Sequence, residues 1–202
     1  MNDLQLTDIT GVILVGGKSR RMGQDKAFLE LDGKPLIERL LLVFQECFSR
    51  TVLVGGSVER FSAYGVPVLA DIYPGSSLGG LYSGLCNAED QHIFVASCDM
   101  VRPNPFVIRQ ICSLKSDYDA VVPIRSHGFE PLCALYSKSC LSVMKNQLKN
   151  GNFRILDLYP QLRIRPVPYD ELVTLDADSN AFLSVNTPEE FEAIWKGKTL
   201  CP

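Results

Sequence analysis

The sequence predicts an α/β fold, a mostly parallel sheet with flanking helices in one domain spanning residues 1–202. Two observations carry that prediction. Short apolar runs alternate with amphipathic stretches along the whole chain, the pattern of βαβ units. No Pro/Gly/Ser-rich tract, repeat or low-complexity segment divides the 202 residues, a length that suits one ordinary domain.

The elements follow in order. Gly11–Val15 (GVILV) is a continuous apolar run that reads as a strand buried on both faces, ending at Gly16-Gly17. Leu36–Phe48 places Leu36, Leu40, Val43, Phe44 and Cys47 on one stripe, a helix opened by Pro35. Thr51–Gly55 is a second buried strand, Ser57–Tyr64 a weak helix, and Val66–Ala70 a third strand. A glycine-serine loop, Gly75–Gly80, leads into a helix ending near Ala88. His92–Ser97 is the next strand and runs into Cys98-Asp99. Beyond it lie a helix over Pro105–Leu114, strands over Asp119–Pro123 and Leu132–Tyr136, and a helix over Ser139–Leu148. Arg163–Val167 is a last or edge strand. Thr187–Trp195 is a closing helix with Asn186 or Thr187 as its cap. In such sheets ligands sit beyond the carboxyl ends of the strands. That rule selects the loop after Val15 and the segment around Asp99.

Composition narrows the function. The chain is 46% hydrophobic and 21% charged with a net charge of −3, a globular profile without the basic surplus of a nucleic-acid binder. Its seven cysteines include no CxxC, and the two histidines, His92 and His127, lack zinc-like spacing. Reduced thiols are the plain reading. Neither a signal peptide nor an apolar run of about 18 residues is visible, so a cytoplasmic protein with no membrane partner is expected.

The segment Leu14-Val15-Gly16-Gly17-Lys18-Ser19-Arg20-Arg21-Met22-Gly23-Gln24-Asp25-Lys26 combines three glycines with four cations in nine residues, 18 to 26. Glycines let a backbone approach a ligand closely, and the cations can face a polyphosphate. Neither a P-loop nor a dinucleotide GxGxxG fits. On composition alone, a solvated basic turn is an equal reading.

The segment resembles the LAGGxSxRMGxDK signature of the molybdenum cofactor guanylyltransferase family, departing only at Val15, whose β-branch would narrow the base pocket. The likeness runs nearly the whole chain, through Asp71, Leu78-Gly79-Gly80-Leu81, Cys98-Asp99-Met100, Glu130-Pro131-Leu132-Cys133-Ala134-Leu135-Tyr136 and Val185-Asn186-Thr187-Pro188-Glu189-Glu190. Gly55 stands where the family often has Asn, and Ser184 where a first Asn often precedes the tail. The resemblance implies a Rossmann-like nucleotidyltransferase fold. It also implies transfer of GMP from GTP to the terminal phosphate of molybdopterin or molybdenum-molybdopterin, with Mg²⁺ as cofactor and pyrophosphate released. Transient contact with molybdoenzymes or their chaperones goes with it. By the same resemblance Leu14, Val15, Gly16, Gly17, Lys26, Asp71 and Asp99 bind nucleotide, Arg21, Lys26 and Asp99 serve catalysis, and Asp99 holds the metal. Gly80, Arg154 and Asn186 face the second substrate. Gly16-Gly17, against Ala-Gly in cytidylyl relatives, favours guanine.

Read from the residues, several positions keep two roles. Asp99 is a Mg²⁺ ligand or the cap of the following helix. Lys26 and Arg21 neutralise phosphate or sit in surface pairs, Lys26 with Asp25 or Glu30. Asp71 touches nucleotide or orders its own loop; Gly79 and Gly80 permit close approach or form a turn. Asn186 contacts substrate or caps the last helix. A cytidylyl relative using CTP on the same acceptor and a non-catalytic GTP-binding regulator are the competing functions.

Overall fold

The structure, a computed structural model, describes residues 5–16, 25–176 and 180–195. Strand β1 (Leu6–Leu14) is buried without interruption from Ile9 to Leu14, and over that stretch its side chains go to opposite faces. Ile9 and Ile13 join one apolar cluster, Val12 and Leu14 the cluster on the opposite face. A β1 buried on both faces explains why its sequence is a continuous apolar run. A two-strand hairpin follows, β2 (Glu30–Leu31) and β3 (Lys34–Pro35), turning at Asp32-Gly33 with both residues at positive φ. Next come α1 (Leu36–Cys47), β4 (Phe48–Val54), the short α2 (Val58–Phe61), β5 (Val68–Leu69) and α3 (Ser77–Asn87). Then follow β6 (His92–Ser97), α4 (Pro105–Ser113), β7 (Ala120–Arg125), β8 (Gly128–Phe129) and β9 (Cys133–Ser137). The chain closes with α5 (Leu141–Lys149), a 3-10 helix (Ile155–Gln161), β10 (Ile164–Pro168) and α6 (Pro188–Trp195).

The sheet order is β10-β7-β9-β6-β1-β4-β5, with β8 paired to β7. β1 is central and parallel to both β4 and β6. The sheet is mixed, because β9 runs antiparallel to β6 and β7. The physical cause is a short connection. Only residues 126–132 separate β7 from β9, and they hold the β8 turn. A parallel neighbour needs a crossover of about a dozen residues or more. The edge strand expected over Arg163–Val167 is present as β10, one residue further along.

The helices pack in two layers. Leu40, Leu41 and Phe44 of α1 and Val107, Ile108 and Ile111 of α4 bury against Ile9, Ile13, Phe48 and Phe94. On the other face Leu78, Leu81 and Leu85 of α3 and Met144 and Leu148 of α5 bury against Val12, Val54, Val95 and Ala134. Helix α3 lies close on β1: a Cβ at Gly84 would come within 2.8 Å of Val12 Cγ1. This close seat sets where the start of α3 meets the end of β1.

Candidate active site

The carboxyl ends of β1, β4 and β6 open onto a cavity of about 570 Å³ lined by Leu14, Gly16, Gly55, Asp71, Ser76 and Gly80, among others. Its floor is backbone. A Cβ at Gly16 would sit 3.0 Å from the Gly55 carbonyl oxygen, and Gly55 itself holds φ +88°. Two strand ends therefore meet without side chains between them. Val15 is not part of the lining. The alternation of β1 continues through it, so Val15 turns into the core beside Phe61 and is 5% exposed. The expected narrowing of the base pocket by its β-branch does not occur.

Asp71 lines the cavity and also orders its own loop. Its Oδ1 accepts from Tyr73 N–H and from the Ser83 hydroxyl, both at 2.9 Å. Gly79 and Gly80 lie in the first turn of α3 rather than in a loop, and Ser76 Oγ caps that turn by accepting from Gly79 N–H at 3.0 Å. Gly80 puts its bare Cα against Leu14, where a Cβ would come within 3.2 Å of Leu14 Cδ2.

Asp99 follows β6 by two residues. It is not a helix cap: Asn104 caps α4, accepting from Phe106 and Val107 N–H. The Asp99 segment instead pairs with the chain before α6. Val101 N–H donates to Leu183 O (2.9 Å), and Val185 N–H donates to Asp99 O (3.1 Å). That pairing brings Asn186 beside Asp99. Thr187 and Glu190 cap α6 reciprocally: Thr187 Oγ1 accepts from Glu190 N–H, and Glu190 Oε2 accepts from Asn186 and Thr187 N–H. The Asn186 side chain is left to face the site.

Lys26 joins these two segments. Its Nζ lies 3.2 Å from Asp99 Oδ2 and donates to Asn186 Oδ1 at 2.9 Å. Both side chains of the ion pair are partly shielded from solvent, at 17% and 19% exposure. The surface pairings open to Lys26 are not the ones it makes. Asp25 instead caps the 3-10 turn Lys26–Phe28 and pairs with Arg60. Cys98, beside Asp99, is buried, and burial together with the Asp99 charge pushes its thiol up to about 12.

A second cavity of about 240 Å³ adjoins the first, with Ser97 and Leu132 lining both. Asp99, Asn186, Glu130 and Phe182 line it. Arg154 lines neither cavity; it starts the Ile155–Gln161 helix with its side chain 72% exposed and 3.8 Å from Asp157. Gly17 and Arg21 fall outside the described residues. Sequence reasoning did not single out Ser76, Ser97, Glu130 or Phe182 as site residues. Glu130 opens a quoted motif and Ser97 stands next to one, so their positions carried a signal. Phe182 reaches the site only through tertiary packing.

This geometry meets its relatives in a comparison with known proteins. The description "MobA-like NTP transferase domain" matches residues 11–163. The chain belongs to this family. Within that transferase family, a probable molybdenum cofactor guanylyltransferase from Pelotomaculum thermopropionicum is 36% identical over 182 residues, covering 90% of this chain and 89% of the relative. A molybdenum cofactor guanylyltransferase from Desulfosudis oleivorans is 35% identical, covering 91% and 93%. The crystal structure of molybdopterin-guanine dinucleotide biosynthesis protein A from Archaeoglobus fulgidus superposes with a TM-score of 0.83 at 26% identity, covering 93% and 97%. Among the described residues no helix is long and apolar enough to cross a membrane.

Proposed function

We propose that this chain transfers GMP from GTP to the terminal phosphate of molybdopterin, bare or molybdenum-loaded, forming the guanine dinucleotide and releasing pyrophosphate. The names of the relatives support this reading. The observation that carries it is the meeting of Lys26, Asp99 and Asn186 next to two adjoining cavities, the larger sized for a nucleotide and the smaller for part of a second substrate.

The chemistry asks little acid–base work of the protein. A phosphomonoester has its second pKa near 6, so the attacking phosphate oxygen is already largely anionic at neutral pH. No general base is needed. What the protein must supply is relief of repulsion between two anions and stabilisation of the departing pyrophosphate. Lys26 brings a positive charge to the place where Asp99 and Asn186 converge, and holds both side chains in position. The glycine floor at Gly16 and Gly55 lets a purine lie against backbone.

A divalent cation suits Asp99. Mg²⁺ commonly takes one or two protein carboxylates and completes its shell with phosphate oxygens and water. Among the described residues no cluster of three His, Cys, Asp or Glu side chains could hold an ion by itself, so Asp99 would hold it jointly with the nucleotide. When bound, the cation supplies charge neutralisation at the phosphates. Asp99 would hold and orient it, while Lys26 balances the Asp99 carboxylate charge and Asn186 fixes the Lys26 ammonium.

Metal-dependent pyrophosphate release with molybdopterin tests the reading, comparing GTP, CTP and ATP. Release with GTP alone is expected. Release with CTP would overturn the base assignment. No release from protein that still binds GTP would move the role to another acceptor or to GTP-dependent regulation.

A further inference from the structure

The smaller cavity holds a carboxylate that the transfer chemistry leaves unused. Glu130 lines it, with its side chain 22% exposed. The backbone around Glu130 is fixed on both sides: its N–H donates to Pro123 O (2.9 Å), and its carbonyl accepts from Cys133 N–H (3.2 Å). The carboxylate is oriented as well. Its Oε1 lies 2.9 Å from His127 Nε2 and 3.5 Å from Arg125 Nη1. Arg125 in turn lies over the Phe182 and Tyr169 rings, 5.8 and 5.9 Å from their centroids. Phe182 also lines the cavity, together with Met100 and Pro131. Among the described residues Glu130 Oε2 makes no hydrogen bond. The result is an oriented carboxylate with one oxygen unused among the described residues, in a cavity walled partly by Met100, Pro131 and Phe182 and partly by Asp99, Ser184 and Asn186.

At about 240 Å³ the cavity is below the usual range of about 300–1,000 Å³ for a drug-sized ligand, and suits a flat bicyclic ring better than a whole nucleotide. The larger cavity has its own oriented carboxylate. Asp71 accepts from Tyr73 N–H and Ser83 Oγ on the same oxygen, Oδ1. Guanine and pterin present the same edge: a ring N–H beside an exocyclic amino group, two parallel donors that match two carboxylate oxygens. A dinucleotide made of guanine and a pterin therefore carries that edge at both ends; the larger cavity offers Asp71, and the smaller offers Glu130 in addition to Asp99, which is paired with Lys26.

We propose that Glu130 reads the amino edge of the acceptor's pterin ring, accepting from it on the unused Oε2 while Arg125 and His127 hold Oε1 as positioning residues. The proposal rests on molybdopterin as the second substrate. The excluded ligands are rings whose amino group is replaced by a carbonyl, which would set an acceptor against the carboxylate.

The test is fluorescence titration of the full chain with 6-hydroxymethylpterin and with its 2-oxo counterpart, 6-hydroxymethyllumazine. Wild type is expected to prefer the pterin by at least about tenfold, the scale of one or two lost charge-assisted hydrogen bonds. Glu130→Gln should abolish most of that preference while keeping a near-wild-type melting temperature, and Glu130→Asp should retain part of it. Equal affinity of wild type for the two rings, no saturable pterin binding, or an unchanged preference in Glu130→Gln would overturn the proposal. A role confined to anchoring the β7–β8 turn would lower stability and leave ring preference unmoved. Because the readout needs no turnover, its failure leaves guanylyl transfer standing. Intact pterin selectivity without pyrophosphate release would count against guanylyl transfer alone.

Discussion

Lys26 touches one oxygen on each of two segments that lie 73 and 160 residues further along the chain. A partly shielded ion pair of this kind is worth little as a staple, so its meaning lies in where it puts charge. Two substitutions separate the roles. Asp99→Asn keeps the shape and removes the charge that would hold a cation. It is expected to lower kcat by about 10²-fold or more, the scale of losing a key electrostatic group, and steady-state pyrophosphate release measures it. Lys26→Met should lower kcat/KM for GTP by a similar factor and also release Asn186. Turnover near wild type in Asp99→Asn would remove the metal assignment. Gly55 offers an independent check on the cavity floor. At φ +88°, with a Cβ only 3.0 Å from the Gly16 Cα, alanine there is strained twice over. Gly55→Ala should cost about 1–3 kcal/mol in urea unfolding and raise the KM for GTP. Lys26 and Asp99 were each singled out in the sequence by the motif they sit in, but their pairing with one another was not legible, because local spacing offered Lys26 only Asp25 or Glu30. The Asn186 contact was not legible either, since it depends on the Leu183–Val185 segment pairing with the chain after Asp99.

Helix α3 shows how an element can position a site while giving up its own stability. Gly84 in the middle of that helix costs roughly 1 kcal/mol of helix propensity relative to alanine. The structure gives the reason: a Cβ there would press on the stiff, fully buried Val12. Gly84→Ala is therefore expected to destabilise by about 1–3 kcal/mol through overpacking, against the direction propensity alone predicts. Urea unfolding decides between the two, and a stabilised variant would mean that α3 can slide. At the other layer edge, Asp119 ties β7 to β10 and to the start of α5. It accepts from Arg163 N–H (2.8 Å) and from Ser139 Oγ (2.7 Å). Burial pushes its carboxyl up, but these bonds and the Arg163 guanidinium outweigh burial and hold it below the usual carboxylate value. A carboxyl depressed in the folded state contributes stability above its unfolded pKa of about 3.9, and that stability is lost as pH falls through the lower folded value. Asp119→Asn should lower the melting temperature at pH 7 and flatten its fall below about pH 4. The strand and helix order was legible from apolar periodicity, yet the direction of β9 was not. Periodicity reports burial and says nothing of polarity; only the seven-residue gap before β9 carried that information. The β2–β3 hairpin had a local signal too, the Asp32-Gly33 pair at positive φ.

At the scale of the whole molecule, the sulfur chemistry follows from how completely the two layers close over the sheet. Of the six described cysteines, five are buried and Cys86 is exposed at the end of α3. Burial raises the Cys47 thiol to about 11 and the Cys140 thiol to about 12, and carries Cys112 and Cys133 upward as well. The thiolate is the reactive form, so these groups are silenced both by access and by protonation. The absence of a CxxC in the sequence already argued against a disulfide framework or a metal cluster. It could not say which cysteine faces solvent, because Cys86 differs from its neighbours only by its place on α3. In a Cys201→Ser background at pH 8, a thiol reagent is expected to modify one cysteine rapidly in the native protein, and Cys86→Ser should remove that phase. The other five should react only as the chain unfolds in guanidinium. Fast labelling of Cys98 in the native protein would show that the strand end carrying Asp99 opens without global unfolding, and that the distance from Lys26 to Asp99 is not held by the fold.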